Sequence, residues 1–289
     1  MAKAREIRRR MRSVESTRKI THTMEMVATS KLRRAQQRVV RARPFAERLA
    51  AVVENLITPE IAELQPILRQ PERIRRAAVL LLTSNRGLCG AFNVHLIRKA
   101  RELLDYLRAQ DVSTEFHVVG RKGIAYFRFR GVEMASTRTD IDDNPTPDEA
   151  RELVAPLAER FLREEIDAIY VVHAEFRSVM NTPPTSRRLL PVNVAADRPK
   201  PEPYYILDPS AEEILDRLLP LYLENVAFRA LVENAAAEQG ARRTAMKAAT
   251  DNADDFLTSL RRQFNRARQA EITSQIAEII GGAEALAGK

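Results

Sequence analysis

Cysteine is almost absent: Cys89 stands alone among 289 residues. No internal disulfide framework is available, and a reducing compartment fits that usage. Long apolar runs are missing as well. No stretch of eighteen apolar residues occurs, so no segment qualifies to span a bilayer. Residues 1–12 lack the apolar segment of a secretory signal, and Glu6 and Glu15 weaken the likeness of this Arg-rich start to a transit peptide. Residues 1–44 contain no aromatic side chain on which a nucleobase can stack. Helix breakers are scarce where it matters most. Between Leu221 and Ile280 there is no proline and only Gly240. At 1.5 Å per residue that segment predicts a helix roughly 90 Å long.

What is present divides the chain into three. Residues 1–57 read as a long helix with one proline, Pro44. Steps of four and three from Ile7 meet Met11, Val14, Arg18, Thr21, Glu25, Ala28, Leu32, Ala35, Val39 and Ala42, a coiled-coil seam with a polar centre. Ile20, Met24 and Val27 form a second apolar stripe, which predicts neighbours on more than one side. Residues 72–205 change period. Short apolar runs at 77–83, 114–120 and 168–176 predict strands, with further short strands near 132–135 and 187–194 and helices over 92–109, 121–130 and 146–165 between them. That alternation predicts a small, Rossmann-like parallel α/β domain. Pro199, Pro201, Pro203 and Pro209 mark its exit. Ser210 and Glu213 then form a capping box that starts the last helix, 210–286. Leu257, Leu260, Phe264 and Ala267 give that helix a seam, and Ile272, Ile276, Ile279 and Ala283 continue it on a shifted stripe. The fold class expected is α/β plus an antiparallel coiled coil of the two terminal helices. The last helix is longer by roughly 20 residues, so an apolar end including Ile276, Ile279 and Ile280 is left without an internal partner.

Chemistry is harder to find. The turn Ser84 to Gly90 (SNRGLCG) matches neither of the glycine-rich phosphate loops, and a tight packing turn is the stronger reading of it. Cys89 has no histidine nearby in sequence and reads as a small buried thiol. His22, His95, His117 and His173 are dispersed without metal-ligand spacing. Asp140, Asp142, Asp143 and Asn144 lack the glycine and closing glutamate of a calcium loop and read as a solvated turn. No catalytic, metal or cofactor-binding constellation emerges. The net charge of +8 belongs to the beginning of the chain: residues 1–48 hold fifteen Lys or Arg against four Glu. Arg8, Arg9, Arg10, Arg12, Lys31, Arg33, Arg34, Arg38, Arg41 and Arg43 can face phosphates or acidic protein surfaces. An apolar and basic helix favours a protein partner. Three classes stay open on the residues alone: a noncatalytic coupling subunit, a basic coiled-coil nucleic-acid or scaffold protein, and a nucleotide-binding enzyme.

Two stretches narrow the choice. KITHTMEMVATSKLRRAQ at 19–36, and AMKAATDNA at 245–253 with NRARQAEIT at 265–273, resemble the paired end signatures of the gamma subunit of F-type ATP synthase. NRGLCG at 85–90 and Glu233-Asn234 fit the same family, and the resemblance covers essentially the whole chain. It implies a noncatalytic rotary shaft without a cofactor. Its partners would be three alpha and three beta subunits around the coiled coil, with the epsilon subunit and the c-ring beside the α/β domain, and no nucleic acid. Its place would be peripheral, on the cytoplasmic side of a bacterial plasma membrane, which it would touch only indirectly. The resemblance further implies beta-subunit contacts at Met24, Lys31, Arg33, Arg34, Arg268, Gln269 and Thr273. It puts Ile276, Ile279 and Ile280 in an apolar bearing and Tyr204 and Tyr205 toward the c-ring or epsilon. The cysteine-pair insertion of chloroplast gamma subunits is absent, so thiol switching is not expected. His22-Thr23 stands where the family often has Lys-Ala.

Overall fold

The computed structural model describes residues 2–57, 61, 65–192 and 210–287. Among them the chain forms α1 (Ala2–Leu56), a 3₁₀ turn (Pro66–Leu68), β1 (Arg76–Leu82), α2 (Phe92–Ala109), β2 (Ser113–Val119), α3 (Arg121–Phe129), β3 (Ser136–Arg138), α4 (Pro147–Leu162), β4 (Ala168–Ala174), β5 (Pro184–Leu190) and α5 (Ala211–Ala287). By compactness it divides into two units. Unit 1 comprises 1–28 with 243–289, and unit 2 comprises 29–242.

In unit 2 the strands form one sheet in the order β3-β2-β1-β4-β5. The first four are mutually parallel, as the alternation of strands and helices predicts. The fifth is an antiparallel edge against β4. It begins at Pro184, and Pro191 follows its last residue; proline donates no ladder hydrogen bond, so the strand is confined to an edge. After β1 the chain moves outward to β2 and β3, then returns across β1 to β4. Right-handed crossovers consequently place α2 and α3 on one face of the sheet and α4 on the other. Ala77, Val79, Leu81, Ala168 and Val172 pack with Phe92, Leu96 and Ala100 of α2 and with Ile124 and Phe127 of α3. Ala78, Leu80, Leu82, Ile169 and Val171 pack with Val154, Leu157 and Phe161 of α4. Leu49 and Val53 of α1 and Leu215, Leu219 and Leu223 of α5 close that second core.

Local chemistry sets the element ends. Thr146 caps α4 in a reciprocal box with Glu149, Pro147 holds the first position, and Ser210 Oγ accepts the Glu213 N–H at 3.2 Å to start α5. The short strand expected at 132–135 lies instead at Ser136–Arg138. The preceding residues are spent closing α3: Gly131 has φ of +66°, and the Val132 N–H donates back to Phe127 C=O at 3.0 Å.

The α1 seam is buried or half-buried at every expected position from Ile7 to Ala42. In unit 1 the two helices run antiparallel. The Arg8 guanidinium lies 5.4 Å from the centre of the Phe264 ring, Arg18 is 3.4 Å from Asp254, and the Thr21 and Thr250 hydroxyls are 2.8 Å apart. Moving forward along α1 thus moves backward by the same number along α5. Continued at this register, α1 runs out near residue 271, and the last 16 residues of α5, about 24 Å, extend beyond it. In unit 2 the same helix is enclosed instead: Leu231 to Ala237 are all buried, seven consecutive positions that cover every side of the helix.

Candidate functional site

Two regions deserve the name of site. The first is the crevice at the carboxyl ends of β1 and β4. Those neighbouring strands are connected in opposite directions along the sheet, and doubly wound folds hold their ligands at such a switch point. Here the crevice is filled by α5. Asn234 Oδ1 accepts the Ala174 N–H at 3.1 Å, and Arg242 Nη2 reaches the carbonyl oxygens of Arg86 and Gly87 at 3.4 Å each. The chain's own helix thus makes polar contacts where a doubly wound fold holds its ligand.

The loop on which Arg242 rests is built by short-range hydrogen bonds. Asn93 Nδ2 donates to Ser84 Oγ at 2.8 Å and to Cys89 Sγ at 3.2 Å, while Ser84 Oγ donates to Arg86 C=O at 2.7 Å. Asn85 Nδ2 spans to Thr139 C=O and Ile141 C=O, both at 2.9 Å. The motif SNRGLCG is therefore the packing turn expected of it. Cys89 is buried, and burial pushes its thiol up against the opposing pull of Ser84 and Arg242, so it is a poor nucleophile.

Charge is balanced closely where α5 fills the crevice. Glu233 is buried, with Arg229 Nε at 2.7 Å and His173 Nε2 at 3.8 Å. Burial raises the Glu233 carboxyl, but His173 and Arg229 together outweigh it and leave the group below the usual carboxylate range. Glu238 goes the other way. Burial dominates and raises it even though Arg242 Nη2 lies at 2.6 Å. Asp143 accepts from Lys31 Nζ at 2.6 Å and from Gln239 Nε2 at 3.3 Å. The acidic turn at 140–144 is thus not merely solvated, as expected from sequence. Asp140 is chelated by Arg138, which holds its carboxyl down at about 2, and Asp143 turns inward to an internal lysine.

The second region is the outer surface of unit 1. Ile20, Met26, Val27 and Phe256 are exposed, Met24 is half-buried, and Arg268, Gln269 and Thr273 are exposed, with the Thr273 hydroxyl donating to Gln269 C=O at 3.0 Å. Ile272, Ile276, Ile279 and Ile280 are exposed as well, Ile279 to 72%. At the observed register Met24 lies opposite residues near 247, so about 40 Å of helix separates it from Thr273. The structure therefore does not gather these residues into one patch. In unit 2, Arg33 and Arg34 are exposed on α1, whereas Lys31, expected to face an outside partner, is paired within the chain to Asp143. Tyr204 and Tyr205 lie outside the described residues. Sequence reasoning missed the crevice contacts of Asn234, Gln239 and Arg242; their signal was polar residues set in and beside the most fully buried stretch of α5. No described helix is long and apolar enough to cross a membrane.

The family model described as ATP synthase matches residues 3–286. The ATP synthase gamma chain of Gemmatimonas aurantiaca is 50% identical over 290 residues, covering 100% of both chains. The chain belongs to the ATP synthase gamma chain family. The gamma chain of Frankia casuarinae is 43% identical, covering 98% of this chain and 97% of its own. Among solved structures, a chain of the Euglena gracilis mitochondrial ATP synthase rotor matches with a TM-score of 0.67 at 18% identity, over 94% of this chain and 99% of that one. A chain from the central stalk and c-ring of the Tetrahymena thermophila mitochondrial enzyme matches with a TM-score of 0.60 at 20% identity, over 80% of this chain and 99% of that one. At such identities these two support the fold. The α/β domain with its long terminal helices is the gamma-chain architecture, and the role of this family member is that of the gamma subunit.

Proposed function

We propose that the chain is the noncatalytic shaft of a rotary ATP synthase, turning inside a ring of three alpha and three beta subunits. The α/β domain would bear on the epsilon subunit and the c-ring, at the cytoplasmic face of a bacterial plasma membrane. The observation that carries this reading is the apolar outer surface of unit 1: large hydrophobic side chains stand outward from a helix pair whose seam is already filled. Water is a poor cover for such a surface, and an apolar sleeve suits it. Noncatalytic status is supported by the switch-point crevice, which α5 occupies.

The coupling follows from asymmetry. One shaft with chemically different sides meets three identical beta subunits, so each subunit's open and closed states are biased differently. Turning the shaft passes each bias to the next subunit. Because the coupling is reciprocal in binding free energy, nucleotide occupancy on the beta subunits also biases the angle of the shaft, and the device runs in either direction. Met24, Arg268, Gln269 and Thr273 would meet the beta subunits, with Arg33 and Arg34 facing acidic loops. Lys31 joins them only by giving up Asp143. Ile276, Ile279 and Ile280 would turn in an apolar bearing, and Tyr204 and Tyr205 would lie on the c-ring and epsilon side.

Reconstitution tests the proposal. The purified chain is expected to hydrolyse no ATP, and to restore proton-driven ATP synthesis when combined with alpha, beta and epsilon subunits on vesicles carrying the membrane sector. Hydrolysis that copurifies with the chain through every step, or complexes that synthesise ATP equally well without it, would overturn it.

A further inference from the structure

The contacts in the crevice have an angular distribution that packing alone does not require. Successive residues of a helix are 100° apart, so Glu233, Asn234, Gln239 and Arg242 point in about four different directions spread over roughly 240° of the circumference of α5. Together they meet three places: β4, the loop after β3 and the loop after β1. Glu233 faces His173 on β4, and Asn234 takes the backbone N–H of Ala174 at the end of that strand. Gln239 donates to Asp143 in the loop after β3, and Arg242 donates to the carbonyls of Arg86 and Gly87 in the loop after β1. Lys31 of α1 binds the same Asp143 carboxylate. The apolar side chains between these points are mostly alanine, small knobs that resist rolling less than large ones, and dispersion itself has no preferred direction. Hydrogen bonds are directional and weaken steeply when the donor angle falls. A helix held by directional bonds over roughly 140° of its circumference, with the Glu233–His173 charge contact extending the arc to about 240°, cannot roll about its own axis without breaking several of them together.

We infer that this crevice is a rotational clamp, in which Asn234 and Gln239 are positioning residues that fix the angle of α5 within the α/β domain. The inference rests on the rotary reading above and adds to it the place where rotation imposed on the α/β domain enters the helix. The fold's ligand site is thereby used in cis: the bound group is a segment of the same chain, held by a backbone amide and two backbone carbonyls such as a cofactor would meet.

The test uses the assembled, membrane-bound complex. Wild-type complexes are first required to show ATP-driven rotation and proton pumping; their failure would remove the rotary reading itself and is distinct from any result with the variants. A probe bead is attached through Met180→Cys, a position 90% exposed on the α/β domain, and its angular fluctuation is recorded with the alpha and beta ring immobilised and nucleotide-locked. Asn234→Ala/Gln239→Ala removes two of the directional bonds and keeps residues of the highest helix propensity, so α5 itself is not weakened. Its angular variance is expected to rise about twofold or more, and protons pumped per ATP hydrolysed to fall by a similar factor, with hydrolysis retained. A residue with only a structural role would lower the yield of assembled complex and leave both ratios unchanged. If the double variant does not assemble, Asn234→Ala is compared with Asn234→Asp, which keeps the acceptor oxygen. A looser clamp in the first, restored in the second, supports the inference. Wild-type variance and pumping ratio in assembled Asn234→Ala/Gln239→Ala complexes, or in assembled Asn234→Ala complexes, overturn it.

Discussion

The hydroxyl of Thr250 donates to that of Thr21 at 2.8 Å, joining the two buried threonines of unit 1 across the helix pair. Thr21 spends its own proton on Arg18 C=O at 3.0 Å, and Thr250 has an alternative acceptor in Met246 C=O at 2.9 Å. Each hydroxyl can thus fall back on its own helix when the other is removed. Thr21→Val and Thr250→Val are expected to cost no more than about 1 kcal/mol each, and the double variant less than the sum, with a coupling near 1 kcal/mol. Urea unfolding of the four chains in a double-mutant cycle measures it; strict additivity would mean that the pair is not a bond.

Substituting serine for Ile276, Ile279 and Ile280 together separates folding from assembly. All three side chains are exposed, so the unfolding midpoint of the isolated chain is expected to move by no more than about 0.5 kcal/mol equivalent. In the reconstituted complex the same variant is expected to lose coupled synthesis severalfold, measured as ATP formed per imposed proton gradient. A large change in the isolated chain would place those residues in an internal contact.

Glu233 makes a pH-dependent contribution whose sign follows from its lowered carboxyl. A depressed carboxylate stabilises the fold above the unfolded value of about 4.3, and the contribution is lost as pH falls through that value toward the lower folded one. Glu233→Gln is expected to cost about 1–3 kcal/mol at pH 7, discounted because Arg229 can turn to water. The gap between wild type and variant should close as the pH is lowered from about 6 to about 3 in denaturant titrations. A constant gap would assign the loss to packing.

Two glycines with positive φ give expectations of different size for alanine. A Cβ at Gly120, φ +97°, would lie 2.1 Å from the backbone oxygen of Thr83, where β1 and the start of α3 meet. Gly120→Ala is expected to cost more than about 3 kcal/mol or to prevent folding. Gly131, φ +66°, has open space around it, and its alanine should cost only about 1–2 kcal/mol. Thermal unfolding of both variants ranks them.

The periodic features were readable in the sequence. The seam from Ile7 to Ala42 and the bounds of Phe92–Ala109 are as the pattern predicts, because both depend on burial of one helix face and little else. The Thr146 box was legible for the same local reason. The crevice contacts were not. Asn234, Gln239 and Arg242 find partners 60, 96 and 155 or 156 residues away, and only the folded topology brings those loops to α5. Asp143 was misjudged likewise: the lysine that draws it inward lies 112 residues earlier. The outward residues of unit 1 were legible as apolar, and nothing within the described residues covers them.

Thr21 and Thr250 are 229 residues apart in sequence. At a synthesis rate of about 5–20 residues per second, the first threonine leaves the ribosome roughly 10–50 s before its partner exists. The helix pair of unit 1 can therefore form only after the described α/β domain has emerged, whatever its intrinsic folding speed. The sheet, continuous in sequence from Arg76 to Leu190, can be complete well before then. Through that interval the apolar stripe of α1 in unit 1 has no covering helix, the kind of transiently exposed surface that chaperones shield.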